Sequence, residues 1–125
     1  MGLFTNPGGT GSPCVNCFAD FRYNEHTMDE GDFKLEMQNA LNKINITNCT
    51  TSVGNGCEIE NAGGTTATWN STTSSSISVE ANSMFKLTAL SPAPDSDLEI
   101  NLTYSKTGST LSVTKTQTIS DSYLS

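Results

Sequence analysis

Between Leu98 and Tyr104 apolar and polar residues alternate without a break, Leu98, Ile100, Leu102 and Tyr104 against Glu99, Asn101 and Thr103. A period of two sends successive side chains to opposite faces of a strand, so this segment reads as a strand with one dry face and one wet face. After the turn Lys106-Thr107-Gly108-Ser109 the pattern resumes at Leu111 and Val113, with Thr, Lys and Gln filling the outward places through Ile119. Upstream, Met84–Leu90 places Phe85, Leu87 and Ala89 on one side, Ser76–Ala81 alternates Ile77 with Val79, and Thr65–Asn70 forms a polar run around Trp69. Two prolines stiffen the turn Ser91–Asp97. The expected result is an antiparallel meander of about four strands. One apolar face of that kind needs a second layer to cover it.

The spacing predicts that layer as a helix over about 29–44. Thr27-Met28-Asp29-Glu30 fits a capping box, and Phe33, Met37, Leu41 and Ile44 recur at intervals of four, four and three. Asp29, Glu30 and Asp32 suit the positive end of a helix dipole and Lys43 the negative end, with Gly31 the one residue working against it. The fold class expected is α+β, a two-layer roll of one amphipathic helix on the meander. Its core would hold Phe33, Met37, Leu41, Ile77, Val79, Phe85, Leu87, Leu98, Ile100, Leu102, Leu111 and Val113. Residues 45–64, rich in Asn, Thr, Ser and Gly, read as a loop. Residues 1–24 read as an irregular arm whose rings Phe18, Phe21 and Tyr23 lie against the core, and 25–125 as a single globular domain of ordinary size.

Four cysteines restrict the compartment. Cys14 and Cys17 form a CxxC, while Cys49 and Cys57 frame a nine-residue segment. A zinc site would want a second close pair or a nearby His, and a redox CxxC would want a strand before it and a helix starting at it. Neither context is present. Two structural disulfides in an oxidising compartment are expected, 49 with 57 and 14 with 17, the two cross-pairings being the other possible connectivities. No charged segment followed by an apolar one opens the chain, and a trimmed, exported form is the expectation.

Composition narrows the function. Net charge is −7 and Ser plus Thr make 34 of 125 residues, so nothing here would displace counterions from a nucleic acid. No window supplies the ~20 apolar residues that span a bilayer. Four Asn-x-Ser/Thr sequons begin at Asn45, Asn48, Asn70 and Asn101, a number that this composition produces by chance. His26, the one histidine, has no nucleophile or carboxylate motif beside it and reads as a surface residue. Trp69 reads as covering the sheet edge or core, with a sugar-stacking platform as its functional alternative and hence a possible contact residue. Asp95-Ser96-Asp97-Leu98-Glu99 and Asp29-Glu30-Gly31-Asp32 do not match a calcium loop. No enzyme activity, cofactor or metal is expected.

Ser83–Ala89, the proline-containing turn, and Asp97–Tyr104 followed by the Gly108 turn together resemble the globular head of type IV pilins and pseudopilins, over roughly residues 29–119. The resemblance implies a non-catalytic subunit or minor component of an extracellular filament involved in surface attachment, with other filament subunits or surface proteins as partners. It would map outward contacts onto 45–64 and 91–97. A secreted binding module or adhesin contacting glycans, and a virion or phage surface protein, are the alternative readings. The isolated chain, acidic and with its apolar face used inside, is expected to be a monomer.

Overall fold

The computed structural model describes residues 11–124 and is almost entirely β. Ten strands follow in chain order: β1 Asn16–Cys17, β2 Phe21–Asp29, β3 Asp32–Asn39, β4 Ile44–Thr51, β5 Gly56–Asn61, β6 Thr66–Trp69, β7 Ile77–Val79, β8 Met84–Leu90, β9 Leu98–Lys106 and β10 Val113–Ile119. A single 3₁₀ turn, Asp121–Tyr123, closes the described chain. The strands form two antiparallel sheets, β1-β2-β3-β8-β5-β6 and β10-β9-β4-β7, packed face to face.

The α+β expectation is therefore corrected, and with it the resemblance to pilins and pseudopilins, because no helix covers the sheet. A second sheet does so. The segment read as a helix is the β2–β3 hairpin and the start of β4. Glu30 and Gly31 both take positive φ, 54° and 87°, which is the two-residue turn that matches the twist of a hairpin, and Asp29 pairs with Asp32 across it. Beyond the turn, Phe33, Leu35 and Met37 are fully buried while Lys34, Glu36 and Gln38 point outward. Residues 33, 37 and 41 recur at four, which is a multiple of two as well as roughly one helical turn.

The loop expected over 45–64 is corrected too, since it contains most of β4 and all of β5. Alternation in β4 is masked by a register shift between Ile46 and Asn48, which lets Ile44, Ile46 and Cys49 all face inward. Within the arm, Cys17, Phe18 and Phe21 are buried in the core and β2 begins at Phe21, while residues 1–10 of that arm lie outside the described residues. Leu111 and Val113, expected inside, are 79% and 46% exposed, and Leu41 is only half-buried. The remaining nine residues expected in the core are buried there.

Specific ties lock the sheets together. The disulfide Cys49–Cys57 joins β4 of one sheet to β5 of the other, and the Trp69 indole N–H of β6 donates to the Thr47 carbonyl at 3.1 Å and the Ser75 carbonyl at 2.9 Å. The Asn39 amide donates to the carbonyls of Asn42, Val79 and Glu80 while its own oxygen accepts from Leu41 N–H. On the far side the Cys14–Cys17 turn reaches across: Phe18 N–H donates to Gln117 Oε1 at 3.0 Å, and the Tyr104 hydroxyl donates to the Asp20 carboxylate.

Candidate functional site

A depression lies at one end of the sandwich, between the crossing that joins β4 to β5 and the turn after β6. It is an open cleft of about 630 Å³. Its first wall is built by Asn48, Thr50, Thr51 and Asn55, its second by Asn70–Ser74, and the Cys49 and Trp69 side forms its floor.

Both walls are held by local chemistry. In the β4–β5 crossing, Ser52 N–H donates to the Glu99 carbonyl and the Ser52 hydroxyl accepts from Glu99 N–H, each at 2.9 Å, and Asn55 N–H donates to the Leu90 carbonyl at 2.8 Å. Gly54 and Gly56 take φ of 113° and 134°, and a Cβ at either would stand 2.6 Å from a backbone oxygen, Leu90's and Trp69's respectively. In the opposite wall the Asn70 side-chain oxygen Oδ1 accepts from Thr72 N–H at 2.9 Å and Thr73 N–H at 2.8 Å, an Asx turn that fixes the loop. The disulfide Cys49–Cys57 holds the two walls' parent sheets at a fixed separation.

No residue lining the cleft is ionisable. Thr, Ser and Asn side chains, two glycines, Cys49 and Trp69 make up the lining, in a chain whose net charge is −7. The acidic groups lie elsewhere. On the outer face of the six-stranded sheet, Arg22, Glu25, Asp29, Asp32, Lys34, Glu36, Glu58, Glu60 and Lys86 carry nine charges, whereas the outward residues of β4, β9 and β10 are Thr, Asn and Ser apart from Glu99.

The residues singled out in the sequence are distributed as follows. All four cysteines are disulfide-bonded, 14 to 17 and 49 to 57. Trp69 is 3% exposed with its N–H engaged by two carbonyls, so its ring face is not offered to a ligand and it supports the cleft from beneath. His26, expected at the surface, is buried: Nδ1 meets the Tyr23 hydroxyl at 2.7 Å, and the Tyr123 ring lies edge-on at 5.3 Å. Asn48 and Asn70 of the sequons line the cleft, while Asn45 and Asn101 stand on the outer face of the four-stranded sheet. Asp29 pairs with Lys34 at 3.0 Å, Asp32 accepts from Ser91 N–H and Asp97 from Asp121 N–H, so these carboxylates serve turns. Among the described residues no group of three or more His, Cys, Asp or Glu side chains could hold a metal ion, and no helix is long and apolar enough to cross a membrane.

Sequence reasoning missed the cleft because its walls come from segments about twenty residues apart, each without periodicity. The one available signal was the pair of glycines, Gly54 and Gly56, inside a cysteine-framed loop. No family model, no curated protein and no solved structure matches this chain.

Proposed function

We propose that the chain is a non-catalytic, exported β-sandwich module that binds a neutral polyhydroxylated ligand, a glycan, in the cleft between the 49–57 crossing and the 70–74 turn. The observation that carries this reading is the uncharged lining of a cleft framed by an inter-sheet disulfide. A charged ligand would lose hydration there without meeting a counter-charge, and an apolar one would strand hydroxyls and amides without partners. Sugar hydroxyls both donate and accept, so they can replace water on Thr, Ser and Asn groups one for one. With no exposed ring to stack on, binding rests on hydrogen bonds and is weak. Chemistry on the ligand is not supported, since no lining group can act as general acid or base and no base stands beside a lining hydroxyl. Two disulfides fit an oxidising compartment and support export. The filament reading rested on the pilin resemblance and loses that support with it.

Titration of the ¹⁵N-labelled protein with neutral oligosaccharides tests the proposal. Amide shifts confined to residues 48–56 and 69–74 are expected, weakened several-fold by Thr50→Val and Thr72→Val. A panel of neutral hexose, pentose and N-acetylhexosamine oligomers that moves none of these amides at ~10 mM, roughly tenfold above a millimolar Kd, overturns it.

A further inference from the structure

The strand β10, Val113–Ile119, forms one edge of the four-stranded sheet. It pairs with β9 over seven consecutive residues without a bulge, among the described residues no other strand pairs with it, and Phe18 N–H reaches the Gln117 side chain rather than the β10 backbone. The other edges are guarded or short. β7 has three residues and β6 four, and β2 is covered at its start by β1 and then broken by a register shift between Tyr23 and Glu25, with Glu25 and Asp29 along it. A long, flat edge without proline or bulge is a template for another strand, and folded proteins ordinarily protect it. Here the only charge on the strand is Lys115.

The occupant is indicated by the strand's own sequence, Val-Thr-Lys-Thr-Gln-Thr-Ile. It is a chemical palindrome about Thr116. Reversed against itself, it sets Val113 opposite Ile119, Thr114 opposite Thr118, Lys115 opposite Gln117, and Thr116 opposite its own copy. Three of the four pairs match β-branched side chains, the fourth sets Lys115 opposite Gln117, and no two charges stand directly opposite. An antiparallel pair centred on one residue is two-fold symmetric, which is what an isologous interface between identical chains requires. We infer that this edge pairs with a second copy of the chain through β10, joining two four-stranded sheets into one of eight strands. The sign of the charge also fits, since β10 is the edge of an acidic molecule that carries a lysine, and the Thr, Asn and Ser face beside it brings only Glu99 near the axis. Assembly stops at two copies, because β7 at the opposite edge of the sheet is three residues long. This differs from the monomer expected from the sequence.

Sedimentation velocity between ~5 μM and ~1 mM on the disulfide-bonded protein tests it with two variants at the exposed axis residue. Thr116→Lys and Thr116→Glu each place like charges directly opposite across the axis and are expected to weaken the dimer about fivefold, while an equimolar mixture of the two restores or exceeds the wild-type association. A change in folding alone would not be rescued by mixing. A wild-type chain that stays monomeric throughout, a dimer that both variants leave unchanged, or a mixture no tighter than its components overturns the inference.

Discussion

Tyr104 is a phenol at the seam between the sheets, 2% exposed, with its ring 5.3 Å from Phe21 and its hydroxyl donating to Asp20. Burial, then the hydrogen bond to Asp20, then that carboxylate's negative charge, hold the phenol protonated far above its ordinary range. In the unfolded chain the same group ionises near pH ~10. The folded state therefore retains a proton that the unfolded state gives up, and stability falls as pH rises above ~10 while this group leaves it unchanged below. Tyr104→Phe removes that dependence. Urea midpoints at pH 8 and pH 11 are expected to differ clearly for the wild type and less for the variant, with the remaining slope owed partly to Tyr23, whose phenol is also raised by burial and by Glu25 and Tyr123. Equal slopes in the two proteins would mean that Tyr104 is not sequestered at the seam.

At the scale of elements, the alternation of β9 and β8 was legible because nothing interrupts it, and the strands expected there stand within a residue or two of those observed. The β2–β3 hairpin was misread because its residues satisfy two periods together. Phe33, Met37 and Leu41 lie on one helical face, but Leu35 lies between them and is fully buried, which a helix with that stripe would not allow. Gly31, the residue that opposed a helix, was the better guide. In the hairpin it sits at φ 87°, where an added Cβ is strained even though open space surrounds it. Gly31→Ala is thus expected to cost ~1 to 2 kcal/mol in chemical denaturation. Thr27→Ala would lose about 1 kcal/mol if Thr27 capped a helix. On β2 its hydroxyl makes one 3.4 Å contact with the Met28 carbonyl, and the substitution is expected to stay within ~0.5 kcal/mol. A costly Thr27→Ala alongside a neutral Gly31→Ala would restore the helix.

For the whole molecule, the cysteines carried more information than their spacing could release. Residue counts alone allow three pairings, and what selects 49 with 57 is that β4 and β5 belong to opposite sheets whose inner faces meet at those two positions. The cleft follows from the same arrangement, since the chain between the two cysteines must cross from sheet to sheet within eight residues and forms a wall as it turns. In the chain-entropy view a closed loop of that length is worth ~2.5 kcal/mol, and a three-residue separation, that of Cys14 and Cys17, is worth less. Cys49 and Cys57 are also almost wholly buried, so Cys49→Ala with Cys57→Ala removes packing between the sheets as well as the cross-link. That double variant is expected to lose at least ~2.5 kcal/mol in guanidinium unfolding, and Cys14→Ala with Cys17→Ala to lose less. The order is the informative part. If the 14–17 pair proved the costlier, the far seam, where Phe18 meets Gln117 and Asp20 meets Tyr104, would be the tie that holds the sandwich closed, and the cleft would not depend on the 49–57 disulfide for its shape.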